Sequence, residues 1–138
     1  MERSSELAEI ITGWFHAAET GDVSWRDRHV SRQAGIRIVG TDPDEFLEGE
    51  SAYEFLKNEA EAIGGKVSVT IDHVEAFTEG SVGWGVAVPV ISLPGGATVS
   101  PRWSAVFHQE DGSWKLVQLH ASIAEANEES FGDVFPGA

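Results

Sequence analysis

The chain has 138 residues, 41% of them hydrophobic, with 23 acidic residues against 9 basic ones and a formal net charge of −14. That length suits one domain around one core, the charge disfavours binding to a phosphate backbone, and the lack of any cysteine removes disulfides, thiolate nucleophiles and thiolate metal sites. The longest apolar run, Val82 to Leu93, is too short and too rich in glycine for a membrane span, and Met1–Ser5 has no signal-peptide pattern, so a cytoplasmic protein without nucleic-acid or membrane partners is expected.

Between Ser4 and Thr20, Leu7, Ile10, Ile11, Trp14 and Ala18 recur at helical spacing and Gly21 ends the run, which predicts a first helix with one apolar face. A shorter helix is expected over 23–30, then a short strand over Gly35–Gly40, then a turn at Thr41–Glu45. Ser51 followed by Glu54 reads as a capping box that starts a helix running to Ile63, ended by Gly64-Gly65. From Lys66 the period changes to two. Four antiparallel strands are predicted at 67–78, 81–93, 97–109 and 113–123, so helices precede a meander and the fold class is α+β. The domain is expected over 1–124, with a loosely ordered acidic tail over 125–138.

Turn chemistry predicts the registers. A two-residue Glu79-Gly80 turn sets Ile71 opposite Val88, His73 opposite Val86 and Glu75 opposite Trp84. A three-residue loop at Glu110-Asp111-Gly112 sets Trp103 opposite Leu119 and Ala105 opposite Val117, and on the reverse face Arg102 opposite His120, which keeps apolar side chains together. The inner face is then expected to hold Val69, Ile71, Trp84, Val86, Val88, Trp103, Ala105, Phe107, Val117, Leu119 and Ala121, joined by Trp14 and Tyr53 from the helices. Gly83, Gly85, Ala87, Trp114, Arg102, Ser104, His120 and Ser122 fall on the outer face, which reads as a homodimer surface. Pro89 and Pro101 each remove a ladder donor and imply a bulge or bend.

The string Gly40-Thr41-Asp42-Pro43-Asp44-Glu45-Phe46-Leu47-Glu48-Gly49, with Asp111-Gly112-Ser113-Trp114-Lys115-Leu116-Val117-Gln118-Leu119-His120-Ala121-Ser122, resembles the SnoaL-like branch of the nuclear transport factor 2-like superfamily. The resemblance runs from about Leu7 to Ile123 and extends to the association domain of calcium/calmodulin-dependent kinase. It implies a cone-shaped α+β barrel with a strongly curved antiparallel sheet wrapped around N-terminal helices, commonly dimeric, in a group spanning isomerases, cyclases, dehydratases, hydrolases and assembly domains. The steroid isomerases imply an oxyanion donor where this chain has Trp14 and a general base where it has Gly40, two residues before Asp42. Their second acid is implied on a strand whose inner positions here are Trp103, Ala105 and Phe107. The arginines of the kinase association domain correspond to Val88, Ala105 and Ala121.

These residues predict an apolar pocket lined by Trp14, Tyr53, Trp84, Val88, Trp103 and Leu119, binding a small, mostly apolar molecule with isomerase or cyclase chemistry as one outcome. Asp42 and the His73–Glu75 pair are the candidate proton-transfer groups, with turn capping the competing role for Asp42, Asp44 and Glu45 and solvent exposure the competing fate of the pair. The five histidines form no metal-binding motif, so no metal and no cofactor are expected. The alternative is a non-catalytic dimerisation or accessory domain whose pocket is filled core. A cavity of roughly 300 Å³ or more with a buried polar group favours the first reading, and a solid interior the second.

Overall fold

The computed structural model describes residues Met1 to Ala138 and begins with a two-residue strand, β1 (Glu2–Arg3). Ser4 Oγ then accepts the Leu7 amide at 3.1 Å and so caps α1 (Ser5–Thr20), satisfying one of the free amides of its first turn. Gly21, in the left-handed region, ends α1, and α2 (Ser24–His29) follows. A hairpin of β2 (Arg37–Val39) and β3 (Phe46–Glu48) comes next; the second of these strands is absent from the sequence reading. The expected capping box at Ser51 is corrected, because α3 (Gly49–Ile63) starts directly from β3 and the Gly49 amide donates to the Ile36 carbonyl at 3.0 Å. The meander is β4 (Ser68–Glu79), β5 (Val82–Ser92), the short β6 (Thr98–Val99), β7 (Arg102–Glu110) and β8 (Ser113–Ser122). A five-residue helix, α4 (Asn127–Phe131), lies in the exposed tail, where Phe131 meets Phe135 edge-on at 4.8 Å.

The strands form one curved, unclosed sheet in the order β1-β4-β5-β7-β8-β2-β3, with β6 on β5. Neighbours are antiparallel except β2 and β8, which run parallel. No helix is long and apolar enough to cross a membrane.

The inner face is as expected on β4 near Val69 and Ile71, on β7 at Trp103, Ala105 and Phe107, and on β8 at Leu119 and Ala121. On β5 it is reversed. Trp84, Val86 and Val88 face outward, and the buried positions are Gly83, Gly85, Ala87 and Pro89. The cause is the closeness of α1. A Cβ on Gly83 would lie 2.6 Å from Leu7 Cδ2, and one on Gly85 would overlap Ile11 Cδ1 and sit 2.8 Å from the Glu75 carbonyl oxygen. Leu7 and Ile11 are fully buried there, each contributing about 1.5–3 kcal/mol that a larger side chain on the sheet would displace.

Both expected hairpin registers are also corrected. The β4–β5 turn is Gly80-Ser81, so His73 pairs with Val88 and Glu75 with Val86, with a bulge between Ile71 and His73. The β7–β8 turn is two residues, Asp111-Gly112, with φ of 52° and 81°, the mirror-image conformation that hairpins favour. A register shift restores the apolar face: Phe107 pairs with Leu116, but Val106 with Gln118. Trp114 and Leu116 are therefore buried, Val117 is displaced, Trp103 pairs with Ala121, Arg102 with Ser122 and Ser104 with His120. The register places Pro89 opposite Pro101, where the ladder between β5 and the β6–β7 stretch lapses and Ser100 Oγ donates to the Pro89 carbonyl at 2.7 Å.

Gly85→Ala is expected to destabilise the protein by about 1–3 kcal/mol, the cost of overpacking a close helix–sheet contact. Thermal unfolding of this variant checks it, and an unchanged midpoint would remove the close approach of α1 as the reason for the reversed face.

Candidate site in the open end of the cone

Past the two prolines the sheet and the helices part, and a cavity of about 520 Å³ lies between them. Trp14, Phe15 and Ala18 of α1 and Phe55, Leu56, Glu59 and Ile63 of α3 form one side. The strand ends supply the other, with Val69, Ile91, Val99, Trp103, Leu119 and Ala121. The two helices are locked at their C-terminal ends, since the Gly65 amide donates to the Glu19 carbonyl at 2.7 Å and a Cβ on Gly64 would lie 2.6 Å from Gly21 Cα. That contact sets Ala18 and Trp14 across from Ile63 and Glu59.

An aromatic group forms the floor. Trp14 stands edge-on to Trp25 at 5.0 Å and tilted to Trp103 at 5.8 Å, and Phe15 meets Trp103 edge-on at 5.5 Å. Trp25 Nε1 donates to the Ile10 carbonyl at 2.9 Å, whereas Trp103 Nε1 is buried with no acceptor. An unmet buried donor costs about 1–3 kcal/mol.

Two charged side chains line the cavity, Glu45 and Glu59, and no cation does. Glu59 sits half-buried on the apolar face of α3, one turn from Leu56 and Ile63. Burial, and then the neighbouring charge of Glu45, push its carboxyl up to about 7. Glu45 follows the hairpin turn: its amide donates to the Asp42 carbonyl at 2.9 Å and its carbonyl accepts the Gly40 amide at 2.8 Å. A Cβ on Gly40 would overlap Glu45 Oε2 and lie 2.8 Å from Glu45 Cβ. The glycine therefore leaves the space in which the Glu45 carboxylate rests. Glu59 also borders a small space of about 50 Å³ between the three helices, lined in part by Asp22, Val23 and Arg26.

Of the residues expected to line the pocket, Trp14, Trp103 and Leu119 do so. Tyr53 does not; it is buried, with the Arg26 and Arg32 guanidiniums 4.0 and 4.2 Å from its ring centroid, and its hydroxyl donates to Asp27 at 3.2 Å. Trp84 and Val88 belong to the outer face, where Trp84 stacks on Phe77 at 6.3 Å. His73 and Glu75 are also outer-face residues, 3.6 Å apart, with His73 55% exposed and Glu75 also 3.8 Å from Arg3. Asp42 lies at the exposed hairpin tip, where its carboxylate accepts the Asp44 amide at 3.0 Å. None of these three reaches the cavity. Glu59 is the residue that the sequence reading missed, although an acid in phase with Leu56 and Ile63 on an apolar helix face was a visible signal. No group of three or more His, Asp or Glu side chains is arranged to hold a metal ion.

A family model described as a SnoaL-like domain matches residues 7–126. No curated protein matches the chain. Among solved structures, an NTF2-like protein of unknown function from Pseudomonas putida KT2440 is similar with a TM-score of 0.76 at 13% identity, covering 96% of this chain and 95% of that one. The association domain of C. elegans CaMKII superposes with a TM-score of 0.67 at 17% identity over 85% and 92% of the two chains. A proposed dehydratase of the NTF2-like family from Streptomyces avermitilis gives 0.72 at 20% identity over 88% and 95%. At such identities the likeness shows the fold alone.

The raised Glu59 carboxyl gives a stability prediction. Unfolded, it ionises near its ordinary 4.5; folded, near 7. Between those values the folded state holds the extra proton, so Glu59 costs the fold progressively more stability as pH rises from 4.5 through 7. Glu59→Gln is expected to be roughly 1–3 kcal/mol more stable than the parent at pH 8, with the difference gone below about pH 4.5. Denaturant unfolding at the two pH values checks this.

Proposed function

The chain belongs to the SnoaL-like domain family, and we propose that it binds a small, mostly apolar molecule in the open end of its cone and moves a proton on that molecule through Glu59. One observation carries the reading: a cavity of about 520 Å³, walled mainly by aliphatic and aromatic side chains, contains a half-buried carboxyl whose pKa is about 7. The volume falls within the range of small-molecule sites. A carboxyl that titrates near neutrality can both accept and donate a proton, the requirement of isomerase- and cyclase-type chemistry. Glu45 has a supporting role. Its charge helps to hold Glu59 near neutrality, and its carboxylate occupies the space that a side chain on residue 40 would need.

The alternative of a non-catalytic domain with a filled pocket is disfavoured by the size of the cavity. Oligomerisation is compatible with either reading. On the outer face, Arg102, Ser104, His120 and Ser122 adjoin the apolar Trp84, Val86 and Val88 in one unpartnered surface. Similarity to an association domain supports oligomerisation, and we assign it to this face as a homodimer. Val86→Glu is expected to shift a dimer to monomer in sedimentation equilibrium, and a wild-type chain that sediments as a monomer at high micromolar concentration would refute the pairing.

Hydrogen–deuterium exchange next to the carbonyl of a panel of cyclic ketones, followed by proton NMR, tests the proposed chemistry. The wild type is expected to accelerate exchange for at least one member, and Glu59→Gln to lower that acceleration by about 10²–10⁴-fold. Equal rates in the two proteins would remove Glu59 as the proton-transfer group.

A further inference from the structure

Resting on this cavity-binding reading, we infer that the ligand is a cation: a compact apolar body carrying a protonated amine, held with its nitrogen between Glu45 and Glu59. The charge balance of the wall is the first ground. Two carboxylates line the cavity, and no lysine, arginine or histidine does. Glu59 gains no hydrogen bond or cation from the protein, since burial and Glu45 are the influences on its titration. Two acids left together in an apolar wall oppose each other's ionisation, and a ligand ammonium relieves both.

The second ground is the rest of the wall, which is aliphatic and aromatic apart from Thr41 and the Gly40 backbone, so the strongest polar interaction open to a ligand is with the two carboxylates. Long-range electrostatics act in the same direction, because a net charge of −14 attracts cations and repels carboxylates and phosphates.

The preference has a pH dependence. An alkylamine, like a lysine side chain, stays protonated to about pH 10, so the variable charge is on the protein. The charged groups that share a space with Glu59 are Glu45 in the cavity and Asp22 and Arg26 in the small adjoining space; α1 brings no charged side chain to either. Arg26 is engaged with Asp27 at 3.0 Å and Glu54 at 3.8 Å. Amine affinity therefore rises as Glu59 ionises through neutrality.

Three matched probes, adamantylmethylamine, adamantylmethanol and adamantane carboxylate, titrated against the intrinsic tryptophan fluorescence of the full chain, test the inference. At pH 8 the amine is expected to bind at least tenfold more tightly than the alcohol, with the carboxylate weakest. The amine advantage is expected to fall at least fivefold at pH 5.5 while alcohol binding stays level. In the Glu45→Gln/Glu59→Gln double variant, the amine and the alcohol are expected to bind alike at both pH values. If the alcohol binds and the amine is no tighter, the cation preference is overturned and cavity binding stands. If none of the three binds, cavity binding itself is lost and the cation preference with it.

Discussion

The contact between α1 and β5 is the constraint on which the rest of the molecule depends. Gly83 and Gly85 present bare backbone to Leu7 and Ile11, so the helix lies flat on one half of the sheet and closes that end as a solid core. The other half cannot follow. Pro89 and Pro101 interrupt the ladder where they meet, and the strand ends beyond them diverge from helices whose own ends are locked together at Gly21 and Gly64. A cavity is left in the space between. Tight packing at one end and parting at the other are two results of one geometry.

A carboxyl in such a place works against stability. Glu59 is on a helix face otherwise occupied by Leu56 and Ile63, and a second acid, Glu45, lines the same cavity. An aliphatic residue at position 59 would remove the desolvation cost together with the carboxyl proposed to move a proton. Glu45 reaches the same space because residue 40 has no side chain. The fold is shared with NTF2-like proteins at 13–20% identity.

Much of this architecture was legible in the sequence. The helices followed from spacing and from the stops at Gly21 and Gly64, and the inner faces of β7 and most of β4 followed from alternation. The orientation of β5 did not follow. Ranking Trp84, Val86 and Val88 above Gly83 and Gly85 by hydrophobicity points the strand the wrong way, because a close helix needs the small residues on its own side. In β8 the displaced Val117 hid the inward Trp114 and Leu116, since a register shift in mid-strand leaves no mark in composition. Trp14, Trp103 and Leu119 were found at the cavity wall, whereas Asp42 lies on an exposed hairpin turn and the His73–Glu75 pair on the outer face of β4. Glu59 was passed over because helical acids are usually solvated.

The most direct measurement is a carbon-13 NMR titration of the glutamate side-chain carboxyls, with the Glu59→Gln variant assigning the resonance that disappears. A midpoint for Glu59 near 7 is predicted, as set by burial and by the charge of Glu45. A midpoint near the ordinary 4.5 would contradict the enclosed apolar setting of this carboxyl, and with it the role proposed for it in the cone.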